Sequence, residues 1–155
     1  MYERFVTKEA FTAVGIKWTG TFSAAFEGVI RKEINAFRER MNEIEHVVNP
    51  ETLLGITTKF TEDGFTYYIC LEVSNAEAVP EGMSAITVPA KLYAVCSHEK
   101  GQSVDATYDN IATWYQSQGY EKDDTGYGME KYRSTYDPLA EETEFWVYEP
   151  VRKKT

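Results

Sequence analysis

The chain has 155 residues, a length typical of one domain, and its 43% hydrophobic and 26% charged content is that of a globular protein. Its net charge of -9 disfavours nucleic acid as a partner, because affinity for a phosphate backbone comes mainly from Lys and Arg. An apolar leader and a run long enough to span a membrane are both missing from the sequence, which therefore predicts a cytoplasmic protein.

The first half of the chain predicts a strand, a helix and a hairpin in that order. Alternating apolar residues indicate a strand over 9–18, and apolar residues at three- and four-residue steps indicate a helix over 26–48 that ends at Asn49-Pro50. Two β-rich segments follow at 53–60 and 65–73. They are joined by a turn in which Asp63-Gly64 is expected to supply a positive φ.

The second half repeats this pattern. A strand is predicted over 83–96, a helix begins after the N-cap Ser103 and ends at Gly119, and two strands follow at 129–136 and 143–151. Two β-α-β-β units, at 9–74 and 83–151, predict a single α+β domain over 1–155. We expect an antiparallel sheet with pseudo-twofold symmetry, helices on one face and a ligand cleft between the halves.

Short motifs in the second half keep a recognisable order and spacing. They are Gly82-Met83, Val88-Pro89-Ala90, Tyr93-Ala94-Val95, Gly101, Ile111, Trp114, Gly119-Tyr120, Glu130, Tyr132 and Pro150-Val151. In these motifs the chain resembles the GyrI-like small-molecule-binding domain, also known as the effector-binding domain of AraC-type and MerR-type regulators. The resemblance implies two fused β-α-β-β units that bind bulky, often aromatic and cationic compounds.

The resemblance implies three functions, which the sequence leaves open. The first is stand-alone binding of a small organic molecule for sensing or sequestration, since only residues 1–8 precede the first predicted strand and leave no room for a DNA-binding motif. The second is hydrolytic opening of strained cyclopropane rings in alkylating agents. The third is an acidic protein-interaction or inhibitor module.

The last predicted strand carries a carboxylate and aromatic rings on one face. Period-two alternation places Glu144, Trp146 and Tyr148 on that face, with Phe145, Val147 and Glu149 on the other. A cationic aromatic ligand could stack on Trp146 while Glu144 neutralises its charge; alternatively, the face is simply solvated. Many drug-binding members of the family have an acidic residue four positions before the closing proline, where this chain has Trp146.

Glu130 is the favoured ligand-binding carboxylate, in a Glu-x-Tyr motif with Tyr132. Held among Tyr127, Tyr132 and Trp146, it would suit general acid or base work, and it is the predicted catalytic residue if the protein is an enzyme. Its alternative role is a pairing with Lys131 or Arg133 at a strand edge.

Other aromatic residues complete the predicted site. Tyr68, Tyr93 and Trp114 are predicted ligand contacts, whereas Tyr108, Tyr115 and Phe37 are predicted to pack in the core. Neither histidine has partners at metal-ligand spacing, and the sequence lacks a phosphate-binding glycine motif, so we predict no metal and no cofactor. The expected partner is a small organic ligand, without nucleic acid or membrane, and the oligomeric state stays open.

Overall fold

The computed structural model describes residues 3–21, 23, 29–99, 103–133 and 145–155. The elements, in chain order, are β1 Arg4–Lys8, β2 Phe11–Thr21, α1 Val29–Arg40, a 3-10 helix Met41–Glu43, β3 Thr52–Phe60, β4 Gly64–Val73, β5 Ser84–Val88, β6 Lys91–His98, α2 Val104–Ser117, β7 Tyr120–Lys122, β8 Gly128–Arg133 and β9 Phe145–Lys153. The strands form one antiparallel sheet in the order β1-β6-β9-β8-β3-β4-β2-β5, with β7 paired to β9. The predicted α+β fold is confirmed.

The predicted hairpin of β3 and β4 is present, but its glycine acts differently from our expectation. Thr61 N–H donates to the carbonyl of Gly64 at 2.8 Å and closes the turn. Positive φ values occur at Gly82 and Gly119 but not at Gly64, so the prediction for Asp63-Gly64 was wrong. A Cβ at Gly64 would instead overlap the carbonyl oxygen of Gly20 on the neighbouring strand, so glycine is needed there for close approach.

The single strand predicted over 83–96 is two strands, because Pro89-Ala90 separates β5 from β6. These two strands lie at opposite ends of the sheet, and so do β1 and β2, which are joined only by Glu9-Ala10. Three Cα steps span at most about 11 Å. The sheet therefore curls until its two ends approach each other. Strands β1 and β7 were not predicted from the sequence, because they are too short to show an alternation.

Curling gives the sheet two different faces, each with its own core. The helix side packs against α1 and α2 through Ile34, Phe37, Ile111 and Tyr115, which confirms the packing prediction for Phe37 and Tyr115. The opposite face, which we call the inner face, is enclosed by the curl. Its buried residues include Ala13, Leu54, Ile56, Cys70, Val88, Tyr93, Val95, Met129 and Tyr148.

Helix α2 begins with the predicted N-cap. The hydroxyl oxygen of Ser103 accepts a hydrogen bond from Ala106 N–H at 3.2 Å, and Gly119 follows the helix with a φ of 88°. We expect Ser103→Ala to lower the free energy of unfolding by about 1 kcal/mol, which corresponds to a melting temperature lower by about 2–4 °C. Ser117→Ala, near the other end of α2, is the matched control. Equal melting temperatures for the two variants in a thermal unfolding measurement would contradict the role of the cap.

Candidate functional site

A pocket of about 270 Å³ lies on the helix side of the sheet, above the pairing of β3 with β8. Strand β7, helix α2 and strand β9 complete its wall. Its lining includes Gly55, Phe60, Tyr108, Lys122, Asp124, Glu130 and Glu149. The lining includes three carboxylates: Asp124 is exposed, whereas Glu130 and Glu149 are partly buried and lie in the walls of the pocket.

Glu130 is held by three tyrosine hydroxyls. Tyr108 and Tyr132 each donate a hydrogen bond to its carboxylate at 2.7 Å, and Tyr67 donates at 3.5 Å. Hydrogen bonds to an ionised acceptor are the stronger kind, and three donors occupy most of the acceptor sites of one carboxylate. Glu130 is therefore a fixed negative charge in the wall of the pocket.

The approach of Tyr67 to Glu130 depends on Gly55. Gly55 is the cross-strand partner of Glu130, and a Cβ at Gly55 would overlap the hydroxyl of Tyr67. Glycine at this point of β3 lets the tyrosine side chain cross the strand and reach the carboxylate. A side chain at position 55 would therefore displace Tyr67 from Glu130.

The hydroxyl of Tyr108 is kept protonated by its surroundings. Burial raises the pKa of Tyr108 well above its ordinary value, and the negative charge of Glu130 raises it further. Tyr108 therefore acts as a hydrogen-bond donor from α2 to β8. Tyr108 was predicted to pack in the core, and it does pack against the helix-side core; its contact with Glu130 was not predicted.

Glu149 is the other partly buried carboxylate of the pocket, and its surroundings differ from those of Glu130. Burial raises the pKa of Glu149, the ammonium group of Lys122 opposes that shift, and the negative charge of Glu130 adds to it. Within the described part of the chain, its carboxylate takes part in no hydrogen bond or salt bridge. Glu149 thus has more free acceptor capacity in the pocket than Glu130.

The rim of the pocket carries a contact between the two halves of the chain. Phe60, at the end of β3, is 61% exposed, and the Nζ atom of Lys122 lies 5.3 Å from the centre of its ring. This is a cation–π contact at a solvent-exposed site, worth about 0.5–1 kcal/mol. A contact of that strength breaks and re-forms readily.

The structure places the other predicted site residues away from this pocket. The inner face carries Trp146, Tyr148, Tyr68 and Tyr93. Trp146 and Tyr148 share one face of β9, as the alternation predicted. Trp114 lies on α2 with its ring 4.6 Å from that of Phe5. Glu144 lies outside the described residues.

The expected neighbours of Glu130 need correction. Tyr132 does contact it, but Tyr127 packs with the inner-face core, and Trp146 projects to the inner face across from Lys131. The carboxylate is surrounded by Tyr67 and Tyr108 in their place. The reason is the antiparallel register of β3, β8 and β9, which a single sequence does not reveal.

The described residues contain no group of His, Cys, Asp and Glu side chains arranged to hold a metal ion. None of the helices in the described ranges is both long and apolar enough to cross a membrane.

Comparison with known proteins finds one family model and one curated protein that are similar to this chain. The model of a family described as Cass2, integron-associated effector binding protein, matches residues 4–151. The transcriptional regulator BrlR of Pseudomonas aeruginosa is 29% identical over 146 residues, which cover 91% of this chain and 53% of BrlR. The chain therefore spans about half the length of this curated relative.

Two solved structures share the fold at low sequence identity. SAV2435, solved with tetraphenylphosphonium bound, has a TM-score of 0.70 at 18% identity, and the match covers 98% of this chain and 94% of SAV2435. The C-terminal domain of EcmrR has a TM-score of 0.66 at 13% identity, over 98% of each chain. In both comparisons the similarity covers 98% of this chain.

Proposed function

The chain belongs to the family of integron-associated effector-binding proteins, and from that membership we propose that it binds a bulky aromatic cation in the pocket of Glu130 and Glu149. The observation that carries the proposal is Glu149, a carboxylate that lines the pocket without a hydrogen bond from any described residue. Leaving such a group unpaired costs free energy, and a cationic ligand would recover that cost.

In this proposal Glu130 and Glu149 have different roles. Glu130, fixed by its tyrosines, supplies a constant negative potential, and Glu149 makes the direct contact with the cation. Tyr108 and Phe60 both line the pocket with aromatic rings, and a cation–π contact inside a desolvated site is worth about 2 kcal/mol. The binding of tetraphenylphosphonium by SAV2435 supports this choice of ligand class.

A bulky ligand requires the rim to open. The pocket has about 270 Å³, whereas sites for drug-sized molecules usually have about 300–1,000 Å³. Phe60 and Lys122 close the rim through a weak contact, so we propose that they separate when the ligand enters. The ligand cation then takes the place of the Lys122 ammonium near Glu149.

Tetraphenylphosphonium binding to the whole chain tests the proposal. At a ligand concentration about 100 times Kd, the folded state gains about 2.7 kcal/mol, which raises the melting temperature by about 5–10 °C. Triphenylphosphine oxide, which is aromatic and neutral, is the control ligand. Absence of a saturable shift with the cation, or an equal shift with the neutral control, would contradict the proposal.

The affinity should also depend on pH through Glu149. The folded protein keeps the Glu149 proton to higher pH than the unfolded chain does, since burial raises the pKa of this carboxyl above its ordinary 4.5. The ionised form interacts with a cation and the protonated form does not. Affinity for tetraphenylphosphonium should therefore be full above the raised pKa and fall as pH is lowered through it, as calorimetric titrations across this window would measure.

A further inference from the structure

The inner face of the sheet carries a group of positive charges that the proposed pocket does not use. Lys8 on β1 forms an ion pair with Glu72 on β4, with 3.4 Å between Nζ and Oε1, and both side chains are about one-quarter exposed. These two strands are far apart in the strand order, so the pair joins opposite sides of the curled sheet. We call Arg4, Lys8, Lys131 and Glu72 the inner-face charge cluster.

Aromatic rings hold the other two cations of the cluster. The guanidinium of Arg4 lies 5.0 Å from the ring centre of Trp146, and Nζ of Lys131 lies 4.6 Å from that of Tyr148. Trp146 is the cross-strand partner of Lys131, and directly paired residues have Cβ atoms about 5 Å apart. Register and ring contacts together bring Arg4 and Lys131 to one place on the sheet.

The cluster is unbalanced in charge. It contains three cations and one carboxylate, in a chain whose net charge is -9. Burial lowers the pKa of Lys131, and Arg4 lowers it further, while Glu72 and Lys8 act in the opposite direction. Keeping a half-buried ammonium beside two other cations costs free energy, since one carboxylate cannot neutralise them all.

We propose that the inner-face charge cluster is a second ligand site, which binds an oxyanion such as a carboxylate or phosphate group. The oxyanion would accept hydrogen bonds from the ammonium groups of Lys8 and Lys131 and from the guanidinium of Arg4. All of these side chains are partly exposed, so the cluster is open to a small solute. The site is on the opposite face of the sheet from the Glu149 pocket and does not rest on the proposed cation binding.

Aromatic neighbours favour an organic anion over a bare inorganic one. Trp146 is 38% exposed beside Arg4, so a flat apolar group attached to the oxyanion would have a ring to cover. The ring of Phe11, which is partly buried, lies 4.6 Å from Nζ of Lys8 and adds aromatic surface to the cluster. Carboxylates and phosphates are both oxyanions. Comparison of phosphate with acetate and benzoate shows which of these two groups the site prefers.

The test is a set of thermal shift titrations with sodium phosphate, acetate and benzoate, against sodium chloride at equal ionic strength. In the unmodified chain we expect a saturable rise of the melting temperature by about 3–5 °C at about tenfold excess over Kd, with at least one of the three oxyanions. Lys131→Met keeps the length of the side chain and removes the charge. We expect it to melt higher than the unmodified chain without oxyanion and to lose the oxyanion response.

Lys17→Met is the matched control, because Lys17 projects from β2 toward the inner-face side and is exposed. It should keep the full oxyanion response. Arg4→Met serves as a second variant, with a reduced response expected, in case Lys131→Met does not fold. The proposal is overturned if no oxyanion gives a saturable shift above chloride, or if a folded Lys131→Met or Arg4→Met variant responds as the unmodified chain does.

Discussion

Glu149→Gln is expected to weaken tetraphenylphosphonium binding by about 10- to 100-fold near neutral pH, because it removes a charge–charge attraction worth about 1.5–3 kcal/mol in a partly buried site. Glutamine has nearly the same shape, so the walls of the pocket stay in place. The variant should also lose the pH dependence of binding, since the group that titrates is gone. Isothermal titration calorimetry at several pH values measures both effects on one sample.

Glu121→Gln is the matched control for this experiment. Glu121 lies on β7 beside Lys122 and forms a salt bridge with Arg152 at 3.6 Å, outside the pocket lining. Its replacement should change the affinity by less than about twofold, because exposed ion pairs contribute about 0–1 kcal/mol and distant charges are screened. If Glu149→Gln and Glu121→Gln bind the cation equally well, Glu149 is not the ligand-binding carboxylate.

Glu149→Gln should leave the folded state at least as stable as before. The raised pKa of this carboxyl means that the ionised form is less favourable in the folded than in the unfolded chain. Stability therefore falls as pH rises from 4.5 through the raised pKa, and the variant lacks that loss. A binding defect in this variant would consequently not arise from unfolding.

The local pattern of the sequence was sufficient to predict β3, β4 and α2, because each has a long alternation or helical stripe next to clear end signals. It was not sufficient at 83–96, where apolar residues continue through Pro89-Ala90 while the chain passes from one end of the sheet to the other. A proline link between two strands and a bend within one strand look alike in a single sequence. Only the pairing partners of β5 and β6 distinguish them.

In the candidate site, too, the local sequence pattern predicted some features, whereas others depend on contacts between distant parts of the chain. Alternation correctly separated Trp146 and Tyr148 from Glu149, but it could not say which face lies over a pocket, because both faces of this sheet are buried. The tyrosines around Glu130 come from β4, α2 and β8, and their convergence depends on register and on the missing side chain of Gly55. The sequence signal for the approach of Tyr67 was Gly55, a glycine inside a predicted strand.

Replacement of Glu130 should act on stability more than on binding. Glu130→Leu is expected to lower the free energy of unfolding by about 2–4 kcal/mol. The reason is that leucine cannot accept the hydrogen bonds that Glu130 accepts from the partly buried hydroxyls of Tyr67, Tyr108 and Tyr132. Tyr108→Phe removes one donor and should cost about 1 kcal/mol. Urea denaturation measures all of these values.

Glu130→Gln is the matched variant, since its amide oxygen can still accept hydrogen bonds from the tyrosines while the negative charge is lost. It should lose less stability than Glu130→Leu and should weaken cation binding less than Glu149→Gln does, because Glu130 acts on the ligand only through its potential. If Glu130→Leu unfolds at the same urea concentration as the unmodified chain, the tyrosine contacts do not stabilise the fold. That result would also remove the reason for giving the two carboxylates different roles. We infer that Glu130 is fixed and that Glu149 contacts the ligand only because the tyrosines hydrogen-bond to Glu130.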